Sequence, residues 1–307
     1  MSGTVSVILA TGLVAIFIFN GMNPRELASI STQKTNQLSI VVPTYDEVPN
    51  IRPLTERVFK ATKAAGLDAD LLFVDDESKG SEATKKIVES LQNEGFPVRI
   101  YARRKTEGRG LSSAVLLGFE KAKHQVMLCM DADLQHEPES VPNVASPVLN
   151  GEADFSVGSR NVGGGGIGFE WSLIRQILSK GATALAGFLS SSTDPMSGFF
   201  CTTKDLVNRG QGKVNTIGFK IGLELMVRCR ASKVADVPIT FQNREAGESK
   251  LSMKTNILYV QQLIALYQDV YGLQFPAVIL ILVVLPLSLL RSFYVTFIMR
   301  KQRAHQD

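Results

Sequence analysis

The sequence predicts an α/β fold with a mostly parallel sheet covered by helices on both faces. Three observations predict it. Short runs of strand length are continuously apolar, amphipathic helical stretches alternate with them, and acidic residues collect just past their ends. Strands buried on both faces lose the in–out alternation of a half-exposed sheet, and parallel neighbours need a helical crossover. In such sheets ligands bind outside the carboxyl ends of the strands.

The first strand reads Leu38 to Val42 and ends at Pro43. Asn50 is suited to cap the next helix, which sets Ile51, Leu54, Val58 and Ala61 on one face and ends at Gly66. A second strand, Asp70 to Val74, runs into Asp75 and Asp76, and Ser81 opens a helix through Ile87, Val88 and Leu91 to Gly95. Val98 to Tyr101 reads as the third strand, Leu111 to Ala122 as the third helix and Val126 to Met130 as the fourth strand. The second half is less regular. Asp154 to Gly158 reads as a strand, Glu170 to Leu189 and Ile217 to Arg230 as helices, Asp236 to Phe241 as a strand and Asn256 to Val270 as a helix.

Two apolar stretches flank this region: neither Val5 to Phe19 nor Leu273 to Leu290 carries a charge. They divide the chain into an N-terminal anchor or interfacial helix with linker (1–37), a catalytic domain (38–270) and a C-terminal transmembrane helix with a basic tail (271–307). The C-terminal run approaches the roughly 20 residues that a spanning helix requires, and Arg291 can snorkel to the interface. The N-terminal run lacks a basic leader and a small-residue cleavage site, so an uncleaved anchor is expected. A net charge of +4 without a long basic block excludes nucleic acid as a natural partner. Cys129, Cys201 and Cys229 share no metal-site spacing and no disulfide framework.

The chemistry concentrates after the fourth strand. Asp131, Asp133 and Gln135 alternate, so an extended chain would point all three the same way, offering hard oxygen donors suited to magnesium or manganese. The alternative is a strand end with solvated carboxylates. Pro43, Tyr45 and Glu47 follow the first strand and Asp75 and Asp76 the second, so carboxylates gather along one edge as though around a cation. Arg160 follows the fifth strand, Arg175 and Ser179 are neighbours on one helix face, and Arg244 and Lys250 bracket a glycine-containing loop. Together these basic residues are able to meet phosphate groups held opposite the acidic edge. Gly163, Gly165 and Gly168 match the spacing of a dinucleotide loop, but no acidic residue ends a following strand; a flexible loop folding over substrate fits better. No Walker motif is present.

Six motifs then occur in order: Ile40-Val-Val-Pro-Thr-Tyr-Asp-Glu47, Phe73-Val-Asp-Asp76, Arg109-Gly-Leu-Ser-Ser-Ala114, Met130-Asp-Ala-Asp-Leu-Gln-His136, Asp194-Pro-Met-Ser-Gly-Phe-Phe200 and Gly247-Glu-Ser-Lys-Leu251. In this the chain resembles the dolichyl-phosphate mannosyltransferases, inverting glycosyltransferases of the GT-A nucleotide-diphospho-sugar transferase fold. The resemblance implies GDP-mannose as donor, dolichyl phosphate as acceptor and a divalent metal. It implies that Pro43, Tyr45, Glu47, Val74 and Asp76 hold the guanosine portion. Met130, Asp131, Ala132 and Asp133 then match the donor and metal region, with Gln135 as a further metal ligand and Asp131 and Asp133 as the catalytic pair. Arg244 and Lys250 match donor-diphosphate contacts, and Arg160, Arg175 and Ser179 the contacts to acceptor phosphate. Glu77-Ser-Lys-Gly80 departs from the Asn, Pro and Asp-Gly that many members carry there.

The apolar C-terminus resembles that of single-chain members, which implies a bilayer partner and no obligatory membrane subunit. The family implies an endoplasmic reticulum membrane with the catalytic domain on the cytosolic face. One C-terminal span would then put Arg300, Lys301 and Arg303 in the lumen, against the positive-inside tendency. The alternatives are a glucosyltransferase using UDP-glucose, a silent scaffold of the same fold, and a metal-dependent nucleotidyltransferase or sugar-nucleotide hydrolase.

Overall fold

The structure is a computed structural model and describes residues 34–168, 173–243 and 253–272. The two apolar terminal runs and the loop carrying Arg244 and Lys250 lie outside these residues. Among the described residues no helix is long and apolar enough to cross a membrane.

In chain order the elements are β1 (Gln37–Thr44), α1 (Val48–Ala64), β2 (Asp68–Asp75), α2 (Ser81–Asn93), β3 (Val98–Ala102), α3 (Leu111–Lys121), β4 (Val126–Cys129), α4 (Val141–Leu149), β5 (Phe155–Ser159), β6 (Gly166–Ile167), α5 (Leu173–Gly187), β7 (Phe200–Thr203), α6 (Lys204–Arg209), α7 (Ile221–Arg228), β8 (Val234–Pro238), β9 (Thr240–Phe241) and α8 (Met253–Tyr271). Seven strands form one sheet in the order β3-β2-β1-β4-β7-β5-β8, and β6 pairs with β9 apart from it. Pairs β3–β2, β2–β1, β1–β4 and β5–β8 are parallel, whereas β7 runs antiparallel to both β4 and β5. The sheet is therefore mixed, with one reversed strand in its middle. That reversal matters for the site: β7 starts at the edge where β1, β2, β4 and β5 end, and it delivers the preceding residues 194–199 there.

Successive residues of β1 serve opposite layers, as a strand covered on both faces requires. Leu38, Ile40 and Val42 pack with α1 (Ile51, Leu54, Val58), α2 (Val88, Leu91) and α4 (Val141, Val144, Val148). Val41 points the other way, with Leu72 and Val74, onto α3 (Val115, Phe119), Phe155, Phe200 and α7 (Ile221, Leu225). A third cluster seats α8 through Tyr259, Leu263 and Leu266 on Leu223 and Val227 of α7 and Ala186 of α5.

Several sequence expectations shift. Strand β1 runs past Pro43 because the ladder continues through carbonyls, Thr44 O accepting the Asp76 amide at 3.2 Å. Helix α1 starts at Val48 with proline in its first turn, and Asn50 is not its cap; the Asn50 amide donates to Glu47 at 2.9 Å from inside that turn. The stretch read as one strand from Asp236 to Phe241 is broken at Ile239 into β8 and β9, which belong to different sheets. The glycine loop is tied down, not free: β6 pairs with β9, and a Cβ on Gly165 would sit 2.5 Å from Ser159 O, so only glycine allows that approach.

Candidate active site

At the carboxyl edge, the β1–β2 side is built by its own hydrogen bonds. Asp75 is fully buried and accepts from the Ser78 hydroxyl (2.9 Å) and amide (3.2 Å), closing the turn in which Glu77 takes φ +51°. Asp76 accepts from the Gly110 amide at 2.7 Å and from the Arg103 guanidinium. Arg103 is 1% exposed and also donates to the Ser113 hydroxyl (2.8 Å) and Gly110 O (3.1 Å). The cation that the sequence asks for beside Asp76 is thus Arg103. Asp46, at φ +56°, accepts from Gly80 at 2.9 Å, and Tyr45 beside it is exposed. Pro43 and Val74 face each other across β1 and β2 and are buried, so their backbones frame this half of the edge.

Past β4 the chain is not extended. The strand stops at Cys129, and Leu134 adopts φ +60°, so Asp131 to Gln135 form a turn and strand alternation does not place their side chains. Asp131 keeps a half-exposed side chain, whereas Met130, Ala132, Asp133 and Gln135 are buried. Asp133 accepts from the Gln135 amide at 3.1 Å, and the Gln135 side chain donates to Gln242 O at 3.1 Å. His136 closes the turn: its Nδ1 accepts from the Asp131 amide at 3.2 Å, with its ring between Phe199 and Phe241.

Burial pushes His136 down to about 4, so the imidazole is neutral near pH 7. A histidine whose folded pKa lies below its unfolded value stabilises the fold fully above about pH 6.5, and that contribution is lost as pH falls towards 4. The whole effect amounts to roughly 3 kcal/mol. Urea midpoints between pH 4 and 6.5 are expected to fall with pH, and His136→Asn, which keeps an acceptor but no titration, to flatten that slope. An equally steep slope in the variant would contradict the assignment.

The other side is basic. Arg160, just after β5, forms a bidentate pair with Asp194 (2.7 and 2.8 Å), whose carboxylate also accepts the Arg160 amide at 3.1 Å. Asp194 is fully buried. Arg160 also lies over the Phe241 ring at 5.3 Å. Lys220, one residue before α7, donates to Met196 O at 2.7 Å and lines a small pocket with Asp131, Ser197 and Gly198. Burial first, then the Arg160 charge, lowers Lys220 to about 8, against the pull of Asp131 and Asp194. A Cβ on Gly198 would come within 3.2 Å of Asp131 Oδ2, so glycine keeps that carboxylate's space open. Ser179 is half-buried on α5, four residues after Arg175, whose side chain lies outside the described set.

The model of "Glycosyl transferase family 2" matches residues 39–208, from β1 into α6. The chain belongs to glycosyl transferase family 2. Within it, the chain is 42% identical over 265 residues to a dolichol-phosphate mannosyltransferase of Mycosarcoma maydis, covering 84% of this chain and 88% of that one. It is 44% identical over 243 residues to a dolichol-phosphate mannosyltransferase of Saccharomyces cerevisiae, covering 77% and 89%. The fold is GT-A. It matches the mannosyltransferase PcManGT from Pyrobaculum calidifontis, solved with GDP-Man and Mn2+, at a TM-score of 0.53 and 13% identity, over 88% of this chain and 75% of that one.

For a family 2 glycosyltransferase, the edge then divides into an acidic turn and a basic flank. Asp131, Asp133 and Gln135 provide hard oxygens, the donor chemistry that suits a magnesium- or manganese-type ion. Among the described residues no three His, Cys, Asp or Glu side chains converge into a closed metal site. Sequence reasoning missed Arg103, Asp194 and Lys220. Only Asp194 left a signal, since it opens one of the quoted motifs.

Proposed function

We propose that this glycosyltransferase moves mannose from GDP-mannose to dolichyl phosphate, giving dolichyl phosphate mannose and GDP. The observation that carries the reading is identity above 40%, over most of both chains, to two proteins named dolichol-phosphate mannosyltransferase. The site chemistry supports it. The histidine of the acidic turn is not a base: His136 is buried, neutral and already accepting from the Asp131 amide, so it does not deprotonate an incoming hydroxyl. An acceptor that arrives ionised needs no such base, and a phosphomonoester with a second pKa of about 6 is that acceptor.

One acceptor phosphate oxygen bonds to the anomeric carbon from the face opposite GDP. The carbon–oxygen bond to the diphosphate breaks, its electron pair leaves on the β-phosphate, and the configuration inverts. Asp131, Asp133 and Gln135 would hold a magnesium or manganese ion, which when bound supplies positive charge to the departing diphosphate. Arg244 and Lys250 would contact that diphosphate. Tyr45, Glu47 and Asp76, with the backbones of Pro43 and Val74, frame the guanosine side. Arg160, Arg175 and Ser179 would receive acceptor phosphate, Arg160 being oriented by Asp194.

The acceptor tail is a long hydrocarbon that stays in the bilayer, so the enzyme belongs at a membrane surface. The apolar run Leu273 to Leu290 supports anchoring there without a partner subunit. The proposed setting is the endoplasmic reticulum membrane, with the catalytic domain on the cytosolic side. Deleting 273–307 is expected to lower transfer to long-chain acceptors at least about tenfold more than to short soluble ones, by loss of local concentration. Equal losses on both would argue against a positioning role. Competition between GDP-mannose and UDP-glucose tests the donor: only the former should label lipid.

A further inference from the structure

The basic flank contains a side chain that the six motifs do not include. Lys220 reaches Met196 O with one of its three donors, at 2.7 Å, and lines the same small pocket as Asp131 and Gly198. Arg160, Asp194 and Asp131 are all close enough for their charges to act on it. Asp194 is fully buried and bound bidentately by Arg160, so two cations share a neighbourhood in which this carboxylate already serves the arginine. Each cation raises the energy of the other's charge, and an arriving dianion relieves both.

The backbone around Lys220 is held from two sides. The Gln262 amide of α8 donates to Lys220 O (3.2 Å) and to the buried Glu224 carboxylate (3.0 Å), which also takes the Arg228 guanidinium at 2.6 Å. From α3, the Ser112 hydroxyl donates to Gly218 O at 2.5 Å. Lys220 is thus fixed at its root by two helices and lines the pocket beside Asp131.

We propose that Lys220 is a substrate-binding residue that, with Arg160, cradles the phosphate of the acceptor. This rests on the reading of the acceptor as a phosphomonoester. Reductive methylation of the full-length protein, read by peptide mass spectrometry, tests it directly. Farnesyl phosphate should protect Lys220, whereas farnesol and GDP should not. Protection by GDP alone, or by none of the three, would overturn the proposal. With GDP-mannose and farnesyl phosphate as substrates, Lys220→Met should raise the KM for acceptor about 10- to 100-fold, the size of one lost charged hydrogen bond. The KM for donor should stay within about twofold, and Lys220→Arg should recover most of the acceptor affinity. A donor KM that rises as far as the acceptor KM contradicts it as well. Protection without any mannose transfer by the unaltered protein would remove the donor reading and leave the role of Lys220 standing.

Discussion

Asp133→Ala is expected to lower kcat/KM for sugar transfer by about 10³-fold, the scale seen when one preorganised charge-stabilising group is removed from a transition state. Asp133 lies buried in the turn after β4, with the Gln135 amide on one oxygen. Losing that charge-assisted hydrogen bond costs about 1.5–3 kcal/mol, below the ~5–15 kcal/mol that holds a typical domain together, so the protein should remain folded at 25 °C. The two effects separate cleanly: urea unfolding reports the small loss, and steady-state transfer reports the large one. Unchanged transfer in a folded variant would remove Asp133 from the mechanism and the metal with it.

Asp194→Ala should have the largest effect on stability. Asp194 is fully buried and the Arg160 side chain is 14% exposed, so deleting the carboxylate strands a guanidinium in a poorly solvated place. Breaking a buried pair from one side costs about 3–5 kcal/mol. The Arg160→Met, Asp194→Leu double variant removes both charges and should recover a large part of that loss, because no unpaired ion remains. Chemical denaturation of both variants checks this. A double variant no more stable than Asp194→Ala would mean that the segment, and not the ion pair, carries the stability. Acceptor KM should rise in both variants, since Arg160 is either misoriented or absent.

The first half of the fold was legible because its signals are local. From Leu38 to Met130 the apolar runs, the helix faces and the acidic strand ends coincide with β1 to β4 and α1 to α3 to within a few residues. The second half depends on contacts that one stretch does not display. Helix α4 carries Pro142 in its first turn and Pro147 inside, which hid it. Strand β7 has four residues, and its reversed pairing with β4 and β5 is a property of three segments together.

The site divides the same way. Asp131 and Asp133 stand out because an apolar run ends on them, yet the turn at Leu134, not strand alternation, places them. Asp75 and Asp76 read as ligands for a foreign cation, while Ser78 holds Asp75 and the protein's own Arg103 holds Asp76. Lys220 could not be picked out, since a lysine's burial and its neighbours come from distant parts of the chain.

The most direct test of the account supplies membranes containing the full-length protein with GDP-mannose labelled in the sugar, dolichyl phosphate and magnesium or manganese. Label should appear in a lipid-extractable mannosyl phosphate of inverted configuration, and be lost on chelation and restored by the metal. Label released as free mannose or mannose 1-phosphate, or retained in the donor while UDP-glucose labels the lipid, would contradict it.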